Sequence, residues 1–169
     1  MKAEELQKIF DAFSQLKVLV IGDVMVDAYM WGSVDRISPE APVPIITIDN
    51  KEYRMGGAAN VALNLQSLGA TPIIHAIIGD DERGNMFTEL LEEEGLMANG
   101  IMTSNSRSTT VKTRVLSGGN QLLRVDEEIT HELAKEDEDK FIKMVMNTLD
   151  NGTIDLVIFE DYDKGLITK

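Results

Sequence analysis

Three short apolar runs constrain this chain more than any other feature. Lys17-Val18-Leu19-Val20-Ile21-Gly22-Asp23, Thr71-Pro72-Ile73-Ile74-His75-Ala76-Ile77-Ile78-Gly79 and Ile154-Asp155-Leu156-Val157-Ile158-Phe159 are hydrophobic without alternation. Runs of this length, bounded by Gly or Asp, predict strands buried on both faces, the signature of a parallel sheet covered by helices. The helices are written between them. From Ala58, the residues Val61, Leu65 and Leu68 recur on one helical face, and Gly69 stands where a C-cap is needed. A second helix carries Phe87, Leu90 and Leu91, starts at the acidic Asp80-Asp81-Glu82 and ends at Gly95. Ile101-Met102 begins a further strand, and 131–149 reads as a charged helix with Leu133, Phe141, Val145 and Leu149 as its apolar positions. Alternating strands and helices predict an α/β fold with a mostly parallel sheet and flanking helices. Residues 1–16 form an amphipathic helix, with Leu6, Ile9, Phe10, Phe13 and Leu16 expected to pack on the same domain.

Two segments break this rhythm. Residues 36–44 hold three of the chain's four prolines, so a rigid loop or edge segment is expected there, followed by a strand over Val43–Ile48. Farther on, Thr109–Leu116 and Gln121–Asp126 flank Ser117-Gly118-Gly119-Asn120, which is a hairpin pattern. Together, segments of about 34–55 and 108–126 are expected to leave the main sheet and build a small β-sheet lid. The hairpin carries Lys112, Arg114 and Arg124. These three cations read equally as an anion-binding patch or as an ordinary solvated face.

Charge and composition narrow the function. A net charge of −13 repels nucleic acid and anionic lipid, so neither is expected as a partner, and a phosphorylated ligand needs a local basic cluster. There is no cysteine and there are two histidines, which excludes thiolate chemistry and argues against a histidine metal site. No apolar run is long enough to span a membrane. After the first strand a dinucleotide fold requires G-x-G-x-x-G, but Gly22 is followed by Asp23-Val24-Met25-Val26-Asp27. A dinucleotide-dependent oxidoreductase is therefore disfavoured. Ligands of open α/β sheets bind at the carboxyl ends of strands. Asp23 and Asp27 stand at such an end. Both could simply cap turns, but Asp27 is also suited to accept hydrogen bonds from sugar hydroxyls. His75 reads as a packed histidine, not a ligand.

Gly56-Gly57-Ala58-Ala59-Asn60-Val61-Ala62 is the remaining motif. Two glycines let the backbone approach a ligand closely, and the helix start behind them offers free N–H groups. Asn60 lies in the first turn, where its amide can point back toward the glycines. The spacing of Gly56-Gly57-Ala58-x-Asn60-x-Ala62 to Gly69 and Gly79 resembles the first signature of the ribokinase-like (PfkB) sugar kinases. Gly22–Asp27, Arg36–Pro44, Thr110–Val115, Gln121–Asp126 and Asp161-Tyr162-x-Lys164-Gly165 resemble the heptose 7-phosphate kinase branch of that family. The resemblance covers the chain from Val18 onward.

That resemblance implies a ribokinase-like, Rossmann-type sandwich with a β lid that often makes a homodimer contact, in a cytoplasmic enzyme. It implies ATP- and Mg²⁺-dependent phosphorylation of D-glycero-D-manno-heptose 7-phosphate at its anomeric oxygen, a step toward ADP-heptose and the lipopolysaccharide core. By position, Asp27 would hold sugar hydroxyls, and Gly56, Gly57 and Asn60 would line the sugar pocket. Arg36, Lys112, Arg114, Arg124 and Lys164 are the candidate cations for the substrate's phosphate. The family's second signature, a Gly-Ala-Gly-Asp type turn bearing the general base, is absent, as are the metal-organising and adenine-binding segments. The chain thus resembles a truncated, N-terminal half with the sugar side of the site, inactive alone, with no catalytic residue and no metal ligand of its own. Glu160 departs from the family, where a smaller residue precedes Asp-Tyr. The alternatives are another sugar kinase of the family, or a non-catalytic module that binds sugar phosphate or dimerises.

Overall fold

The structure is a computed structural model that describes residues 2–168. Helix α1 (Ala3–Phe13) leads into β1 (Lys17–Gly22). One residue later the chain enters β2 (Val24–Ile37) and returns through β3 (Pro44–Gly57). Then follow α2 (Ala58–Ser67), β4 (Thr71–Gly79), α3 (Glu82–Glu93), β5 (Ile101–Ser104), β6 (Val111–Ser117), β7 (Asn120–Glu127), α4 (Lys135–Asn151) and β8 (Leu156–Glu160).

The apolar runs form the first sheet, with order β5-β4-β1-β8 and every pairing parallel. Successive residues of a strand face opposite sides, and the core divides accordingly. Val18, Val20, Ile74, Ala76 and Ile78 face a cluster completed by Ala58, Ala59 and Ala62 of α2 and by Phe87 and Leu91 of α3. Leu19 and Ile21 face the other side, where Phe141 of α4 closes a smaller cluster. The three buried alanines of α2 leave little room between helix and sheet. Asp81 caps α3 by accepting the Gly84 N–H at 2.8 Å, and its second oxygen accepts the Thr109 N–H at 2.8 Å. His75 is 1% exposed, hydrogen-bonds through Nε2 with the Thr148 hydroxyl at 3.0 Å and meets Phe141 edge-on. It is the packed histidine expected.

The second sheet has the order β3-β2-β6-β7. β2 and β3 are antiparallel, β2 and β6 parallel, β6 and β7 antiparallel. It takes more of the chain than the segments 34–55 and 108–126. β2 starts at Val24, because Val24, Met25 and Val26 continue straight out of β1 into buried surroundings. The three prolines of this segment fall outside the strands' interiors: Pro39 and Pro42 in the 38–43 turn and Pro44 at the first position of β3. Gly118 and Gly119 turn the β6–β7 hairpin with φ of 57° and 82°, a pair of left-handed conformations suited to glycine.

Two sequence readings do not hold. Leu6, Ile9 and Phe10 of α1 are exposed, so most of that apolar face is unpacked; only Phe13 and Leu16 are half-buried. Helix α4 starts at Lys135, not at 131, because His131–Ala134 lie extended toward the loop after β8 and Glu136, Asp137 and Glu138 form the acidic first turn. Beside α4, β8 leaves Leu156 and Phe159 exposed, and Ile142 and Met146 of the helix are exposed with them.

Candidate functional site

The site forms where the two sheets meet. Asp23, the single residue between β1 and β2, is 5% exposed. Its N–H donates to the Glu160 carbonyl at 3.0 Å and its carbonyl accepts the Ala58 N–H at 2.9 Å. Its carboxylate accepts the N–H groups of Tyr162 at 2.9 Å and Lys164 at 3.2 Å. Burial pushes this carboxyl above its ordinary range, against the lowering effect of those two donors. Asp23 is therefore a turn cap that pins the loop after β8. Arg107 reinforces that loop by donating to the Lys164 carbonyl.

Asp27, on β2, points the opposite way in role. Arg114 of β6 donates to its Oδ1 at 2.5 Å. Its Oδ2 faces Gly56: a Cβ on Gly56 would sit 2.6 Å from that oxygen. Glycine is required there for the turn to lie against the carboxylate. Gly57 has φ +62°, and a Cβ on it would strike the Asp23 carbonyl. Asp27, Gly56 and Gly57 thus converge. Asn60 lies one turn into α2 and is exposed; no hydrogen bond of its amide back to the glycines forms among the described residues.

Strand register decides the rest. Arg54, Asp27, Lys112 and Asp126 form one row across the second sheet, and Glu52, Tyr29, Arg114 and Arg124 form the next row on the same face. The cations are interleaved with carboxylates. Lys112 donates to Asp126 at 2.9 Å and Glu128 at 3.0 Å. Arg124 reaches Asp126 at 2.9 Å, and Lys164 reaches Glu128 at 3.2 Å from the pinned loop. Burial alone would lower the Lys112 ammonium, but the two carboxylates outweigh it and hold its pKa above the ordinary value. The same contacts hold Asp126 and Glu128 below theirs. The expected cation patch is real in position and largely neutralised in charge. Arg36 stands apart: it is exposed near the far end of β2, nine positions from Asp27, about 30 Å along the strand. A single small ligand cannot touch both within one chain.

Sequence reasoning missed Arg54, Tyr29 and Glu128. The Arg54 guanidinium lies 5.0 Å from the Tyr29 ring centroid and that of Arg114 lies 5.2 Å from it, while Trp31 stacks on the ring at 5.5 Å. The signal was present: Arg54 precedes Gly56 by two, so in a strand both face Asp27. Among the described residues, no three His, Asp or Glu side chains gather closely enough to hold a metal ion. Nor, among the described residues, is any helix long and apolar enough to cross a membrane.

A carboxylate with one oxygen that has no donor among the described residues, set against a glycine turn and beside guanidinium groups, suits a polyhydroxylated anion. Comparison with known proteins gives the family and the fold. The family model described as pfkB family carbohydrate kinase matches residues 15–154. The chain is 36% identical over 168 residues to a protein named Bifunctional protein HldE from Citrifermentans bemidjiense, covering 99% of this chain and 34% of that one. It is 41% identical over 151 residues to the protein of the same name from Helicobacter pylori, covering 89% and 32%. The chain thus spans about a third of the length of these curated relatives. Among solved structures, a putative sugar kinase from Clostridium perfringens superposes with a TM-score of 0.57 at 20% identity, over 81% of this chain and 42% of that one. A ribokinase from Cryptococcus neoformans in complex with ADP gives 0.51 at 22% identity, over 71% and 37%. These likenesses establish the ribokinase-like fold.

Proposed function

Because the chain belongs to the pfkB family of carbohydrate kinases, we propose that it supplies the sugar-binding share of a kinase acting on D-glycero-D-manno-heptose 7-phosphate. The observation that carries this reading is Asp27 Oδ2 facing Gly56 with no protein donor among the described residues, while Arg114 holds the other oxygen of the same carboxylate. Asp27 accepts hydrogen bonds from sugar hydroxyls, and the glycine turn leaves room for the ring. The heptose is favoured over other sugars by the segments that resemble the heptose kinase branch, and by guanidinium groups that an unphosphorylated sugar would not need.

In the reaction the anomeric oxygen attacks the γ-phosphorus of ATP, the new O–P bond forms as the bond to the β-phosphate oxygen breaks, and ADP leaves. The anomeric proton passes to a general base. We assign that base, the nucleotide site and the metal site to the remaining length that the relatives carry. This chain's residues bind and orient the sugar. The product is a 1,7-bisphosphate, used for ADP-heptose and lipopolysaccharide core synthesis in the cytoplasm. The opposite face of the second sheet, where Leu123 and Val125 are exposed beside Val115 and Thr113, is suited to a second copy of the chain, as in a lid-to-lid homodimer.

Titration calorimetry without nucleotide tests the reading. Heptose 7-phosphate is expected to bind and Asp27→Ala to abolish the heat. No heat with the unmutated chain overturns it, and uptake only of unphosphorylated sugars moves the assignment to another kinase of the family. The chain alone is expected to show no turnover with ATP; phosphorylation above background overturns that division of labour.

A further inference from the structure

We infer that Arg54, held over Tyr29, is the residue that distinguishes a phosphorylated sugar from a free one, an inference that rests on the sugar-phosphate reading above. The other cations of the charged face are committed. Arg114 donates to Asp27 and its side chain is 22% exposed. Lys112, 15% exposed, bridges Asp126 and Glu128. Lys164, 13% exposed, holds Glu128. Arg124 is 52% exposed and engages Asp126 through Nε, but it stands on the edge strand β7, two strands away from Asp27. Drawing Lys112 or Lys164 onto a ligand would leave a partly buried carboxylate without its partner, which is costly.

Arg54 differs. Its side chain is 58% exposed and its partner Glu52, two residues back on the same strand, is 40% exposed, so the ion pair is solvated and opens at little cost. Only its Nε engages Glu52. The two terminal nitrogens keep the donor geometry that fits two phosphate oxygens at once. The guanidinium is also not free to wander, since it lies over the Tyr29 ring that Arg114 shares and that Trp31 backs. The two guanidinium groups on this phenol ring are each paired with one carboxylate, Arg54 with the exposed Glu52 and Arg114 with the less exposed Asp27.

Arg54 is also in the right place. Tyr29 follows Asp27 by two residues on the same face, about 7 Å along the strand. A sugar with a hydroxyl on Asp27 Oδ2 can therefore extend its phosphorylated end to Arg54. Glu52 then acts as a built-in competitor: it occupies Arg54 in the empty site, and the phosphate displaces it.

This gives a test with two opposite signs. Calorimetry is run with heptose 7-phosphate and with free heptose on the unmutated chain, Arg54→Gln, Arg54→Lys and Glu52→Gln, with thermal melts to confirm folding. Arg54→Gln is expected to weaken the phosphorylated sugar by about tenfold or more and leave the free sugar unchanged. Arg54→Lys should restore part of the loss. Glu52→Gln should tighten the phosphorylated sugar several-fold, a gain that a damaged fold does not produce. Equal loss for both sugars in Arg54→Gln, or no gain in Glu52→Gln, overturns the inference. If the unmutated chain prefers the phosphorylated sugar and Arg54→Gln keeps that preference, the inference fails and the sugar-phosphate reading stands. If the unmutated chain takes up neither sugar, the reading itself fails and the inference falls with it.

Discussion

β1 and β7 are strands of similar length in one chain, held by opposite physics. Five of the six residues of β1 are buried, and it lies between two parallel neighbours with helices on either face. All eight residues of β7 are exposed, it forms a sheet edge, and its fixed contacts are ion pairs from Arg124 and Asp126. Burial of apolar area stabilises β1 at roughly 25 cal/mol per Å², whereas exposed and half-exposed ion pairs contribute little each. The contrast is one of strands and not of whole sheets, since Val24, Val26 and Ala28 of β2 and Val111 of β6 belong to the main core. Asp27, the carboxylate proposed to hold the sugar, stands between Val26 and Ala28, so it combines the rigidity of the first region with the access of the second.

The comparison is most easily broken at Phe87, which is fully buried under the first sheet. Phe87→Ala is expected to cost about 3–5 kcal/mol in urea denaturation, while Leu123→Ala on β7 should change stability by about 0.5 kcal/mol or less. A large loss at Leu123 would mean that a second copy covers that face. Asp23→Ala should come next, at about 1–3 kcal/mol, because the Tyr162 and Lys164 N–H groups lose their shared acceptor; limited proteolysis should then cut within 161–164. If the loop stays protected, Asp23 is not its anchor.

Acid should reach the two regions in order. Burial lowers the His75 pKa below its ordinary 6.5. The folded state resists protonation that the unfolded chain accepts, so stability is full above about pH 6.5 and declines as pH falls from there toward the lowered value. Thermal melts from about pH 7.5 to 5 should show this decline in the unmutated chain and not in His75→Gln. Glu128 and Asp126 are held below their ordinary 4.5 and 3.8, so their contribution is present above those values and is lost only as pH falls below them. Glu128→Gln, the smallest effect, should cost about 0.2–1 kcal/mol and shrink further in salt; a larger loss would show that the charged face supports the fold.

The first region was legible in the sequence because burial on two faces leaves a continuous apolar run, as in β1 and β4; β8 has such a run too, although Leu156 and Phe159 are exposed. The second was legible only in outline. Gly118-Gly119 announced a hairpin, but Lys112 meets Asp126 through register, which no local pattern states. Glu128 lies beyond the expected hairpin end, and its contact with Lys164 spans distant parts of the chain. α1 misled because helical periodicity says which face is apolar, not what covers it. Within the site, Asp27 and the glycine pair were readable as chemistry. The neutralisation of the cations was not, since it depends on which carboxylate each strand brings opposite.

One joint in the chain carries a mechanical consequence. Asp23 alone separates the two sheets, and it is fastened through its N–H, its carbonyl and both contacts of its carboxylate. A ribbon rooted this way has no swivel. Its pairing is regular from that root to Trp31 and breaks register only at Trp31/Gly32 and Val34/Arg36. Asp27 therefore lies on the clamped, regular side of both breaks, and the 38–43 turn lies beyond them.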